Sequence, residues 1–136
     1  MRLTMGSPPD CCEVLIVEDD YDIREVLTEV LRDEGYCAVG AANGQEALDF
    51  LRAGSRPRLI LLDLMMPVMS GWQFAVEQRK ERELADIPIV VVSADGNLQQ
   101  MVASVGAHGV LRKPIEIDAL LALVRRYCPG RERTSG

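Results

Sequence analysis

Long apolar runs are missing from this chain of 136 residues, and with them several classes of function. No stretch approaches the roughly 18 residues that cross a bilayer. The start, MRLTMGSPPD, lacks the apolar core of a secretory leader, so cytoplasm is the expected compartment. Basic charge is short too: 15 Lys and Arg against 21 Asp and Glu leave a net charge of −6. Direct binding of nucleic acid needs clustered bases and is not expected. Cys11, Cys12, Cys37 and Cys128 have no CxxC spacing, and the single histidine does not cluster with them. They read as reduced thiols rather than a zinc or redox site. Neither GxxxxGKS/T nor GxGxxG occurs, which counts against nucleotide binding.

What remains is the composition of a globular domain, 48% hydrophobic and 26% charged, with no internal repeat or low-complexity stretch. The length suits one domain with a real core. Residues 1–11 and the polar tail 129–136 read as disordered, leaving 12–128 as the domain. Within it, strand runs are expected at Val14–Val17, Cys37–Ala41, Leu59–Leu62, Ile89–Val92 and Gly109–Leu111. The first, third and fourth are continuously apolar, as strands buried on both faces of a parallel sheet would be.

Helical stripes fill the gaps. Ile23, Val26, Leu27, Val30 and Leu31 form the first, with Gly35 as its stop. Asn43 with Glu46, and Ser70 with Gln73, have capping-box spacing ahead of Ala47, Leu48, Leu51 and of Trp72, Ala75, Val76. Leu98, Met101, Val102 and Val105 make a fourth stripe, and Ile117, Leu120, Leu121 and Val124 a fifth. All are expected to be core faces. Alternation of this kind predicts an α/β fold, (βα)5, a doubly wound parallel five-stranded sheet of flavodoxin-like order 2-1-3-4-5.

Ligands of such sheets bind beyond the carboxyl ends of the strands. Strand one runs into Glu18-Asp19-Asp20, strand three into Asp63, strand four into Ser93 and strand five into Arg112-Lys113-Pro114. Each has a plain alternative: Asp20 as a helix cap, Ser93 as a turn residue, Lys113 as a solvated charge. Their joint placement on four strand ends points elsewhere. Clustered carboxylates must be neutralised by shared protons or a hard divalent cation, and Mg²⁺ suits carboxylates with a backbone carbonyl. A carboxylate beside such a cation can attack phosphorus, and a hydroxyl and an ammonium can hold the phosphoryl oxygens. Asp63 reads as that nucleophile.

The stretches VLIVEDDYDIREVL, LILLDLMMPVMSG, IPIVVVSA and VLRKP resemble the response regulator receiver domain of two-component signalling, across about residues 12–127. The resemblance implies that Glu18 and Asp19 are the acidic pair, Asp63 the phosphoacceptor and Met65 the residue whose backbone carbonyl ligates Mg²⁺. It implies that Ser93 is the switch hydroxyl, Lys113 the family's lysine and Pro114 the residue after a cis peptide. Pro67 and Gly71 match the turn after the phosphoacceptor. Val110 departs from the pattern, since the family usually has Tyr or Phe there.

The implied function is a phosphoacceptor module of a phosphorelay, charged by a sensor histidine kinase or a phosphotransfer protein. It would be no enzyme beyond its own phosphotransfer and dephosphorylation. A downstream protein would read the face of the fourth helical stripe, strand five and the fifth stripe, which includes Leu98, Met101, Asp118, Arg125 and Arg126. No output domain fits within residues 128–136, so a single-domain regulator or an excised receiver is expected. One alternative is a phosphorylation-independent interaction module on the same fold. A haloacid-dehalogenase-like phosphatase would need an aspartate where Met65 stands.

Overall fold

The computed structural model describes residues 13–64, 70–94, 100, 103 and 106–128. Strands β1 (Val14–Val17), β2 (Ala38–Ala41), β3 (Leu59–Asp63), β4 (Ile89–Ser93) and β5 (Gly109–Arg112) alternate with helices. Among the described residues, the helices with defined bounds are α1 (Tyr21–Asp33), α2 (Gly44–Arg52), α3 (Gly71–Lys80) and α4 (Ile117–Tyr127). The fourth stripe expected from the sequence, Leu98, Met101, Val102 and Val105, lies outside the described residues, although Gln100 and Ala103 between them are helical. Residues 1–11, 129–136, Met65 and Pro67 also lie outside them.

All four strand pairings are parallel, in the order β2-β1-β3-β4-β5, as expected. Alternation along each strand splits the core into two layers. Leu15, Val17, Ile60, Leu62 and Val91 pack with Leu48, Leu51 and Phe74 from α2 and α3. Val14, Ile16, Leu59, Leu61, Val90 and Val92 pack with Leu27, Leu31, Leu120 and Val124 from α1 and α4. Both faces of the sheet are therefore covered, which is why β1, β3 and β4 are apolar at successive positions.

The strands run slightly differently from the sequence expectation. Asp63 pairs with Val92, and Ser93 with Arg112, so these polar residues are the last rungs of their strands rather than the residues just past them. Strand β2 starts at Ala38 because the Cys37 N–H is taken by the Glu13 carboxylate at 2.9 Å. Helix ends follow local chemistry. Ser70 and Gln73 form the full capping box, whereas Glu46 reaches the Ala42 N–H at 2.9 Å while Asn43 caps alone. Gly35 sits at φ 94°, the left-handed region expected of a helix stop.

Three stripe residues are exposed. Val26 is 54% exposed and Ile117 is 40% exposed. They line an apolar groove of about 540 Å³ with Ile23, Leu27, Pro114 and Ile115. Val76 is likewise exposed, and the buried residues of that helix are Gly71, Phe74, Ala75 and Gln78.

Candidate functional site

The ends of β1, β3, β4 and β5 meet where β1 and β3 are neighbours, with β2 as the edge strand beyond β1. The Glu18 N–H extends the β1–β2 ladder by donating to the Ala41 carbonyl at 3.0 Å. Glu18 and Asp63 are each 3% exposed and Ser93 is 2% exposed, whereas Asp19 is open to solvent. Lys113 spans the two buried carboxylates, its Nζ 3.3 Å from Glu18 Oε1 and 3.4 Å from Asp63 Oδ2. The Lys113 N–H donates to the Ser93 carbonyl at 3.0 Å, which ties the lysine to the end of β4. The Lys113–Pro114 peptide is cis, as the resemblance implies.

Asp20 stands apart. Its Oδ1 accepts from the Ile23 N–H at 3.1 Å, so it is the N-cap of α1, the plain reading of that residue. Its own N–H donates to Glu18 Oε2 at 3.1 Å. A cleft of about 230 Å³ is lined by Glu18, Asp19, Asp63, Ser93 and Lys113, together with Asp20, Ile23 and Ala94. Ile23, Ala94 and Lys113 also border the apolar groove, so the two openings are continuous.

The electrostatics follow from burial and crowding. Burial pushes the Glu18 carboxyl up from 4.5 to about 7. The Asp20 N–H opposes this, the charge of Asp63 and a carboxyl–carboxyl hydrogen bond add to it, and Lys113 opposes it. Burial alone would lower the Lys113 ammonium, but Asp63 and Glu18 overcome that and hold it above its usual range. A lysine so placed keeps its charge across neutral pH.

Oxygens of Glu18, Asp19 and Asp63 lie within 4.8 Å of one another. Three hard oxygen donors at a partly open edge fit a small divalent cation that retains some of its waters. Met65, the expected carbonyl ligand, lies outside the described residues. Gly71 permits the close approach behind Asp63: its N–H donates to the Leu64 carbonyl at 3.1 Å, and a Cβ there would stand 2.8 Å from the Asp63 carbonyl oxygen. Val110 pairs with Val91 and is partly buried against the α2–α3 layer.

The model of the response regulator receiver domain matches residues 14–125. The chain belongs to that family. A relative, sporulation initiation phosphotransferase F of Bacillus subtilis, is 38% identical over 121 residues, covering 86% of this chain and 94% of its own length. The MprA response regulators of mycobacteria are 37% identical, and the receiver spans about half of their length. Among solved structures, chemotaxis protein CheY4 of Vibrio cholerae matches with a TM-score of 0.78 at 33% identity, covering 85% of this receiver and 98% of that chain. The receiver domain of sensor histidine kinase PA1611 from Pseudomonas aeruginosa matches with a TM-score of 0.78 at 26% identity, covering 87% and 98%. That structure has a magnesium ion coordinated in its active site cleft.

Proposed function

We propose that this receiver accepts a phosphoryl group on Asp63 from a phosphohistidine of a sensor kinase or a phosphotransfer protein. The observation that carries the reading is the convergence of Asp63, Glu18, Asp19 and Lys113 on one cleft, with Lys113 Nζ already 3.4 Å from Asp63 Oδ2. In the transfer, an Asp63 carboxylate oxygen bonds to phosphorus as the phosphorus–nitrogen bond breaks. The electron pair stays on the departing imidazole. Lys113 holds charge that develops on the phosphoryl oxygens, and Ser93 at the end of β4 offers a hydroxyl to one of them.

Glu18, Asp19, Asp63 and the Met65 carbonyl would hold Mg²⁺; that the PA1611 receiver has a magnesium ion coordinated in its active site cleft supports this reading. When bound, the ion supplies positive charge that offsets repulsion between the carboxylates and the incoming phosphoryl oxygens. Beyond its own phosphotransfer and dephosphorylation the domain turns over no substrate.

The donor approaches over the groove between α1 and α4, because that apolar surface is continuous with the cleft through Ile23, Ala94 and Lys113. A downstream protein reads β5 and the exposed Asp118, Arg125 and Arg126 of α4; Leu98 and Met101, expected from the sequence to share that face, lie outside the described residues. The test is beryllofluoride, a phosphoryl mimic, titrated with Mg²⁺ and followed by amide chemical shifts. Wild type is expected to saturate and Asp63→Asn to show no response. Saturation of Asp63→Asn would reject the assignment.

A further inference from the structure

Arg24, in the first turn of α1, belongs to none of the strand ends, yet it reaches the site. Its Nη1 donates to the Glu18 carbonyl at 2.8 Å. That carbonyl shares a peptide plane with the Asp19 N–H, so whatever holds the oxygen also fixes how the Glu18 and Asp19 side chains splay. Arg24 is itself braced. Its guanidinium carbon lies 5.4 Å from the centre of the Tyr21 ring, and its own carbonyl accepts from Thr28 Oγ1 at 2.7 Å. Its stem crosses Gly40 of β2, where a Cβ would stand 2.8 Å from Arg24 Cγ and 2.9 Å from Cδ. These are stem atoms, not a flexible tip, so any side chain at position 40 would displace the arginine.

We propose that Arg24 is a positioning residue for the acidic pair: seated across Gly40, its guanidinium holds the Glu18–Asp19 peptide so that both carboxylates face the cleft. This rests on the reading of the cleft as a cation and phosphoryl site. Two physical effects of the arginine have opposite signs. As a bare positive charge near a cation site, it weakens cation binding, so its removal would tighten Mg²⁺. As the clamp on the peptide, it strengthens binding, and loss of such a supporting hydrogen bond typically costs about tenfold in metal affinity.

The experiment is calorimetric titration of Mg²⁺ alone into wild type, Arg24→Ala, Arg24→Lys, Gly40→Ala and the Arg24→Ala/Gly40→Ala double variant, with urea unfolding of each. Arg24→Ala is expected to bind about tenfold more weakly. Arg24→Lys, which keeps one donor on a long stem, should recover part of the loss. Gly40→Ala should lose affinity although it changes no charge, and the double variant should bind no worse than Arg24→Ala, because both changes break one contact. Mg²⁺ binding by Arg24→Ala as tight as wild type or tighter would overturn the proposal. So would losses that add in the double variant. Should Arg24→Ala not fold, Gly40→Ala with wild-type affinity overturns it equally. Failure of wild type to bind Mg²⁺ would instead reject the underlying reading of the cleft.

Discussion

A methyl group at position 71 would stand 2.7 Å from Leu64 Cα and 2.8 Å from the Asp63 carbonyl oxygen. Both are backbone atoms, so Gly71→Ala must push α3 away from the end of β3. We expect a loss of about 1–3 kcal/mol in urea unfolding, the usual range for overpacking, and weaker beryllofluoride binding because Asp63 shifts with its backbone. Unchanged stability would mean that the two segments are not in contact as described. Glu18 makes a second prediction at this scale. With its carboxyl near 7 in the folded protein and 4.5 as the ordinary value, the metal-free fold holds a proton that the unfolded chain releases between those pH values. Stability without metal therefore falls as pH rises from 4.5 to about 7, the reverse of the usual carboxylate. Mg²⁺ needs the ionised form, so its apparent affinity rises through neutral pH. Glu18→Gln should flatten both profiles, as urea titrations and Mg²⁺ calorimetry across that range would reveal. A wild-type Mg²⁺ affinity that stays constant through pH 7 would contradict the assignment of the proton to Glu18.

At the scale of elements, the groove between α1 and α4 separates donor recognition from phosphoryl chemistry. Val26 is half-exposed and faces that groove rather than the core, so Val26→Glu should leave stability and beryllofluoride binding near wild type. Transfer from a phosphohistidine-bearing protein should slow by an order of magnitude or more, since a charge is placed in an apolar contact. Equal transfer rates in variant and wild type would move the donor elsewhere. Strand β5 makes the other element-scale prediction. Valine at position 110 has a stiff χ1 and no polar tip, so it cannot make the inward swing of an aromatic ring. Signal should instead pass from Ser93 into the segment that follows β4, where Gly96 eases backbone change. Beryllofluoride should then perturb amides of residues 93–102 more than those of β5. Shifts centred on Val110 and α4, with 93–102 silent, would refute that route. Periodicity marked each helix, but it could not say which stripe residues line the groove instead of the core. Val26 and Ile117 carry the same stripe signal as Leu27 and Leu120, and only the packing of α1 and α4 separates them.

For the whole molecule, two core layers hang on one sheet, and the site is a by-product of where that sheet stops. Leu62 is fully buried on β3, one residue before Asp63, so Leu62→Ala should cost about 2–5 kcal/mol and loosen the cleft with it. Much of this was legible from residue order. Continuous apolar runs ending in Glu18, Asp63 and Ser93 mark buried parallel strands with polar ends, and parallel topology brings those ends together. The acidic pair and Lys113 stand at one edge because their strands start and stop in register. What was not legible depends on contacts between distant segments. Nothing local tells that Arg24 lies across Gly40, sixteen residues on by numbering. That contact follows from how α1 seats on β2, which periodicity does not encode. The central claim is that Asp63 alone receives the phosphoryl group. Its most direct test is to incubate the protein with a small phosphoryl donor such as acetyl phosphate and Mg²⁺, trap the acyl phosphate by borohydride reduction, and map the modified residue by peptide mass spectrometry. Modification at Asp63 only, absent from Asp63→Asn, is the predicted result; a reduced residue at any other position in wild type, with Asp63 untouched, would contradict it.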